Sequence, residues 1–166
     1  MGAYKKIKYV LTMICILLAL IGIGVYFNIA KENKLPGNVS VTLKENTTQT
    51  LSTKISNIYP GSSTSYTIHL NGKNIVNLNV YLSFRDSDND ENQLKNYINV
   101  KVETKQVIIE NSLKELLDDN SKILNLGMRT NQIIITYTMP ESVGNEAKGA
   151  EANFYVDLLA KTMELR

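Results

Sequence analysis

The residues best suited to chemistry are three aspartates at alternate positions, Asp86, Asp88 and Asp90, in the run Asp86-Ser87-Asp88-Asn89-Asp90-Glu91. Carboxylates at that spacing open a calcium loop, where oxygen ligands converge on one hard cation. The pattern then departs, because Glu91 stands where the loop needs Gly and Tyr97 where it needs a bidentate Glu. The run reads either as a solvated connection between strands or as a weak Ca²⁺ site, and no other cofactor is expected. Peptidase chemistry of the His-Glu-x-x-His type needs two histidines on one helical face. The chain has one, His69, inside an alternating run, where it reads as a solvent-facing or hydrogen-bonded strand residue. No Ser occupies a Gly-x-Ser-x-Gly elbow, and the single Cys, Cys15, lies in an apolar stretch, so nucleophilic catalysis has no local support.

Charge divides the chain in two. The whole carries a net charge of +2 from 18 Lys and Arg against 16 Asp and Glu. Three of the lysines, Lys5, Lys6 and Lys8, precede an uncharged run from Tyr9 to Ala30; without residues 1–25, 15 basic and 16 acidic residues leave −1. No basic surplus remains to neutralise phosphates, which argues against a nucleic-acid partner. Lysines, then Val10 to Ile21, then Gly22-Ile23-Gly24 form the layout of a secretory signal, with cleavage after Gly24 or Val25. The alternative is a retained anchor, since Tyr9 to Phe27 is 19 residues without a charge, close to the roughly 20 that span a bilayer. Acylation of Cys15 fits poorly, because it sits in mid-run after bulky Ile14. Either main reading predicts an extracellular or cell-surface domain.

Past a polar linker, KENKLPGN, apolar residues alternate with period two, the pattern of half-buried strands. Val39, Val41 and Leu43 alternate, as do Leu51, Thr53 and Ile55, and Tyr66, Ile68 and Leu70. The longest case runs from Ile75 to Phe84, with Val76, Leu78, Val80, Leu82 and Phe84 on one face. Further strands are predicted over Tyr97 to Glu103, Val107 to Glu110, Gln132 to Met139 and Asn153 to Thr162. Asn71-Gly72 between two such runs predicts a tight hairpin, and Tyr59-Pro60-Gly61-Ser62 another turn. One segment breaks the pattern. Ser112 to Glu115 reads as a capping box, and Leu113, Leu116 and Leu117 have helical spacing. The prediction is an all-β, jelly-roll-type β-sandwich with one short helical insert, preceded by a signal or transmembrane helix. Its parts are residues 1–25 as signal or anchor, 26–38 as a flexible linker, and 39–166 as the sandwich.

Several of these segments together resemble the TasA/camelysin family of secreted proteins of Gram-positive spore formers. The resemblance lies in Gly22 to Asn28, Gly37-Asn38-Val39, Ile58-Tyr59-Pro60-Gly61 and Asn71-Gly72, and closes with Tyr137-Thr138-Met139-Pro140, Asn145-Glu146-Ala147-Lys148-Gly149 and the strand Phe154 to Ala160. Pro60, Gly61, Pro140, Asn145 and Gly149 are the motif positions it singles out, and Lys148 stands where the family usually has Gln. It implies a jelly-roll domain exported by the secretory route, processed by a dedicated signal peptidase, and built into extracellular fibres of a biofilm matrix.

In such fibres the resemblance implies that the segment freed by cleavage adds a strand to the next subunit. Residues 26–38 are the candidate donor, with Phe27, Ile29 and Leu35 as anchoring side chains. Self-association and accessory matrix proteins are then the expected partners. Two alternatives stay open: a camelysin-like surface metallo-endopeptidase, and a membrane-anchored binding module that never polymerises. Residue chemistry speaks against a zinc site, with one His and no Cys past residue 15.

Overall fold

The computed structural model describes residues 37–87, 93–118, 122–144, 147 and 149–162. The expected signal or anchor, Gly24, Val25, Phe27, Ile29, Leu35, Asp88, Asp90 and Asn145 lie outside the described residues.

Among the described residues, nine strands make two sheets, accompanied by one α-helix. They are β1 (Asn38–Thr42), β2 (Thr48–Ile55), β3 (Ser63–Asn71), β4 (Leu78–Asp86), β5 (Asn99–Glu103), β6 (Ile108–Ser112), β7 (Leu124–Met128), β8 (Gln132–Thr138) and β9 (Ala152–Thr162), with α1 (Leu113–Asp118) between β6 and β7. The sheet orders are β1-β3-β8-β5-β6 and β2-β9-β4-β7. Strands β2 to β9 follow the jelly-roll order, in which successive strands switch sheets except for the β5–β6 hairpin and the last strand lies second in its sheet. The predicted sandwich is correct. β1 is an addition to it, paired parallel with β3 at a sheet edge, Asn38 opposite Thr67 and Thr42 opposite Asn71.

Alternation places the core as expected. Val80, Leu82 and Phe84 of β4 pair with Ala160, Leu158 and Val156 of the adjacent β9, and these six are buried together with Leu78 and Phe154. Tyr66 and Ile68 of β3, Val100 and Val102 of β5, and Ile133, Ile135 and Tyr137 of β8 fill the opposing sheet's inner face. Four aromatic rings link the layers. Phe84 lies 6.1 Å from Phe154, Phe154 is edge-on to Tyr137 at 5.8 Å, and Tyr137 stacks on Tyr66 at 6.0 Å. Such ring separations are the favourable offset and edge geometries. The helix forms where its cap predicts it: the Ser112 hydroxyl accepts from the Glu115 amide at 3.2 Å, and Leu113, Leu116 and Leu117 are buried.

Three expectations change. Asn71-Gly72 does not close a hairpin, because β3 and β4 belong to different sheets and a short 3₁₀ turn, Ile75–Asn77, joins them. Gly72 serves close approach instead: a Cβ there would stand 2.5 Å from the Leu43 carbonyl oxygen, and the Leu43 amide donates to Asn71 O at 2.7 Å. The predicted strand from Ile75 therefore starts at Leu78. β7 lacks a sequence prediction, and the first alternating run is an appended parallel strand.

Candidate functional site

Three regions carry polar chemistry: the motif loops at one end of the sandwich, the acidic end of β4, and the tyrosine pair between the sheets.

The motif loops are built by turn chemistry. Pro60 and Gly61, the latter with φ of 77°, occupy the centre of a turn closed by Ser62 N donating to Tyr59 O at 2.9 Å. Pro fixes the first central residue and Gly supplies the positive φ of the second, the requirement of a type II turn. The Ser62 hydroxyl ties it twice more, accepting from Tyr59 N at 2.9 Å and donating to Tyr59 O at 2.6 Å. The turn is joined to the end of β8, since Gly61 N donates to Met139 O at 2.9 Å and Met139 N to Ser62 O at 3.0 Å. Pro60 and Gly61 thus meet the Met139-Pro140 segment, far away in sequence. Gly149, with φ of 77°, lies beside the same region. Asn57 to Pro60 on one side and Gly144, Ala147 and Gly149 on the other line a cleft of about 480 Å³. Tyr59 stands at its rim, 66% exposed. Its described lining offers backbone groups, the Asn57 amide and the Tyr59 hydroxyl.

At the acidic end, only Asp86 of the three aspartates is described. It is half-buried, and one oxygen accepts from Lys95 Nζ at 3.1 Å; the same ammonium reaches Asp118 at 3.4 Å. The Asp86 hydrogen bond holds the Lys95 ammonium above its ordinary range, against the opposing effect of burial, and Asp118 adds to it. The bridge ties the end of β4 to α1 through the 3₁₀ turn Gln93–Asn96. A cation at Asp86 would have to compete with this tethered ammonium. His69 lies exposed on the outer face of β3, opposite Ser40 and Gln132. Among the described residues no group of three or more His, Cys, Asp or Glu side chains is placed to hold a metal.

Buried chemistry sits between the sheets. The Tyr66 and Tyr137 hydroxyls approach to 3.4 Å, and Tyr66 also hydrogen-bonds Thr53. Burial raises the Tyr137 hydroxyl well above its ordinary value and raises that of Tyr66 too, so both stay protonated. Sequence reasoning assigned neither this pair nor Lys95. Tyr at inward positions of two alternating runs was the available signal for the pair, and a lone Lys near an acidic run the signal for the bridge.

No family model and no curated protein matches the chain. Solved structures with some likeness include the full extracellular region of zebrafish Gpr126/Adgrg6, at 19% identity and TM-score 0.40, covering 77% of this chain but 15% of that one. A mutant of the Escherichia coli periplasmic inhibitor of g-type lysozyme shows 12% identity and TM-score 0.42 over 76% of this chain and 99% of its own. The CUB1-EGF-CUB2 domains of rat MASP-1 show 16% identity and TM-score 0.40 over 76% and 44%. Likeness at this level says nothing of what the chain binds or does.

Proposed function

We propose that the chain is an exported structural subunit or accessory protein of extracellular biofilm-matrix fibres that assembles by donor-strand addition. The place of β1 carries this reading. Strands β2 to β9 already complete a jelly roll, and the amino-terminal strand is appended to one edge in parallel. It is a short addition, with Val41 as its one fully buried side chain and Val39 half-buried. A sandwich that takes one extra strand at its edge has the geometry for strand addition, in which main-chain hydrogen bonds supply affinity and alternate side chains supply specificity. A net charge of −1 past residue 25 leaves little repulsion between packed copies.

The test is removal of residues 26–38 from the secreted chain. The intact chain is expected to form fibres visible by electron microscopy, and the shortened one to stay monomeric by size-exclusion chromatography with its β-sheet circular dichroism retained. Fibres of undiminished yield from the shortened chain would sink the reading.

A further inference from the structure

A sheet edge that is long, straight and nearly uncharged pairs with another strand unless something blocks it. The described sheets end at four strands: β1, β6, β2 and β7. β7 is blocked. Its pairing with β4 shifts between Val80 and Tyr81, and Gly127 and Arg129 adopt positive φ of 80° and 59°, which bends the strand out of register. β1 and β6 offer five residues each, and the first four residues of β3 beyond the end of β1 offer a shorter stretch still.

β2 is different. It runs eight residues in unbroken register with β9, without Pro or bulge, and its one charge, Lys54, is ion-paired with Glu151 at 2.9 Å.

The direction of its free groups follows from one hydrogen bond. Ala160 O accepts from Asn46 N at 2.8 Å, so the peptide groups of Ala160 face the β2 side of β9. Strand alternation puts those of Leu158, Val156 and Phe154 on that side as well. Their register partners Gln49, Leu51 and Thr53 direct their own N–H and C=O groups at β9. The N–H and C=O groups of Thr48, Thr50, Ser52 and Lys54 therefore point to the outer edge. On the inward side of the same strand Thr53 and Ile55 are buried, but Leu51 is only half-buried and Gln49 is exposed, so the flank of the core beside the first half of β2 is open.

We infer that the outer edge of β2 is the acceptor for strand addition, and that its occupant is the segment Tyr26–Pro36 of a second copy of this chain. The inference rests on the donor-strand reading above and adds the place where the donor docks. The segment has 11 residues, enough to span the eight of β2. Phe27 and Ile29 are two apart and share a face in an extended strand, the face that meets Leu51. Asn28 and Ala30 then lie alongside Thr50 and Ser52 on the outer face. Pro36, which has no N–H, ends the pairing.

Amide hydrogen exchange on monomers and on fibres of the same secreted chain tests this directly. Exchange at Thr50 and Ser52 is expected to slow at least about 100-fold on assembly, with Ile108 and Glu110, whose N–H groups point to the free edge of β6, unchanged. Protection at β6 instead, or protection of Thr50 and Ser52 already in the monomer, overturns the assignment. Ser52→Pro removes an outward N–H without touching the β9 ladder, and is expected to cut fibre yield at least tenfold, about the loss that breaking part of a short ladder brings, while Ser52→Ala polymerises normally. Should Ser52→Pro not fold, the exchange pattern of the unmodified chain decides. If removing residues 26–38 stops assembly but Ser52→Pro does not, only the β2 assignment falls; if neither stops it, the donor-strand reading falls with it.

Discussion

β9 and β1 are both strands of one sandwich, and they are held in opposite ways. β9 runs 11 residues between two antiparallel neighbours, β2 and β4, and buries Ala152, Phe154, Val156, Leu158 and Ala160. β1 runs five residues beside one parallel neighbour and fully buries Val41 alone. Buried apolar area sets the difference, because each large side chain taken from water contributes about 1.5–3 kcal/mol. A strand anchored by one valine can leave its place at small cost, whereas losing β9 would dissolve the fold. Stability is thus concentrated in β9, and the weaker local hold lies in β1.

The sharpest way to break the contrast is at its strong end. Phe154 is 1% exposed and touches both Phe84 and Tyr137. Phe154→Ala is expected to destabilise the domain by about 3–5 kcal/mol, since the packed neighbours cannot collapse into the space. Chemical denaturation would read it as a fall in midpoint with unchanged slope; a loss below about 1 kcal/mol would mean that β9 is not the pillar described.

At the weak end, Val41→Ala should cost about 1–2 kcal/mol globally. Its larger signature is local: amides of β1 should exchange faster than those of β9 by a wider margin than in the unmodified chain. Equal acceleration along both strands would show that β1 opens only with the whole domain.

Sequence made β9 legible and β1 only in part, for a physical reason. Phe154, Val156, Leu158 and Ala160 alternate with Tyr155, Asp157, Leu159 and Lys161, and burial on one face follows from period two alone. The same period finds Val39 and Val41 but does not say which strand they pair with or in which direction. Leu124 to Met128 escaped because Gly127 interrupts a short alternation at a bulge. Asn71-Gly72 misled because an Asn-Gly pair reports turn propensity, while here the Leu43 carbonyl is what demands a glycine. The motif residues Pro60, Gly61 and Pro140 were visible as turn formers, but the joining of the Pro60-Gly61 turn to the Met139-Pro140 segment depends on β3 and β8 lying side by side. Lys95 was hidden by the same rule, since its bridge to Asp86 and Asp118 is made by chain folding, not spacing.

Between the two strands lies the tyrosine pair, which links Phe154 of β9 to β3, the strand that carries β1. Tyr137→Phe removes one hydroxyl, and Tyr66 keeps Thr53 as partner, so the expected cost near neutral pH is about 0.5–1.5 kcal/mol, the smallest of the three. The pH dependence is more telling. Burial raises both hydroxyls in the folded state, so the unfolded chain gives up these protons first as pH rises. The folded state then binds more protons, and stability falls with increasing pH. It should be flat with respect to these groups below the ordinary tyrosine value of 10.0 and decline above it. Tyr137→Phe removes the more strongly raised group and should make that decline shallower. Denaturation series from pH 8 to 11.5, about 1.5–2 units either side of the ordinary tyrosine pKa, would read the slopes, and equal slopes for both chains would show that Tyr137 reaches solvent more freely than its place between the sheets allows.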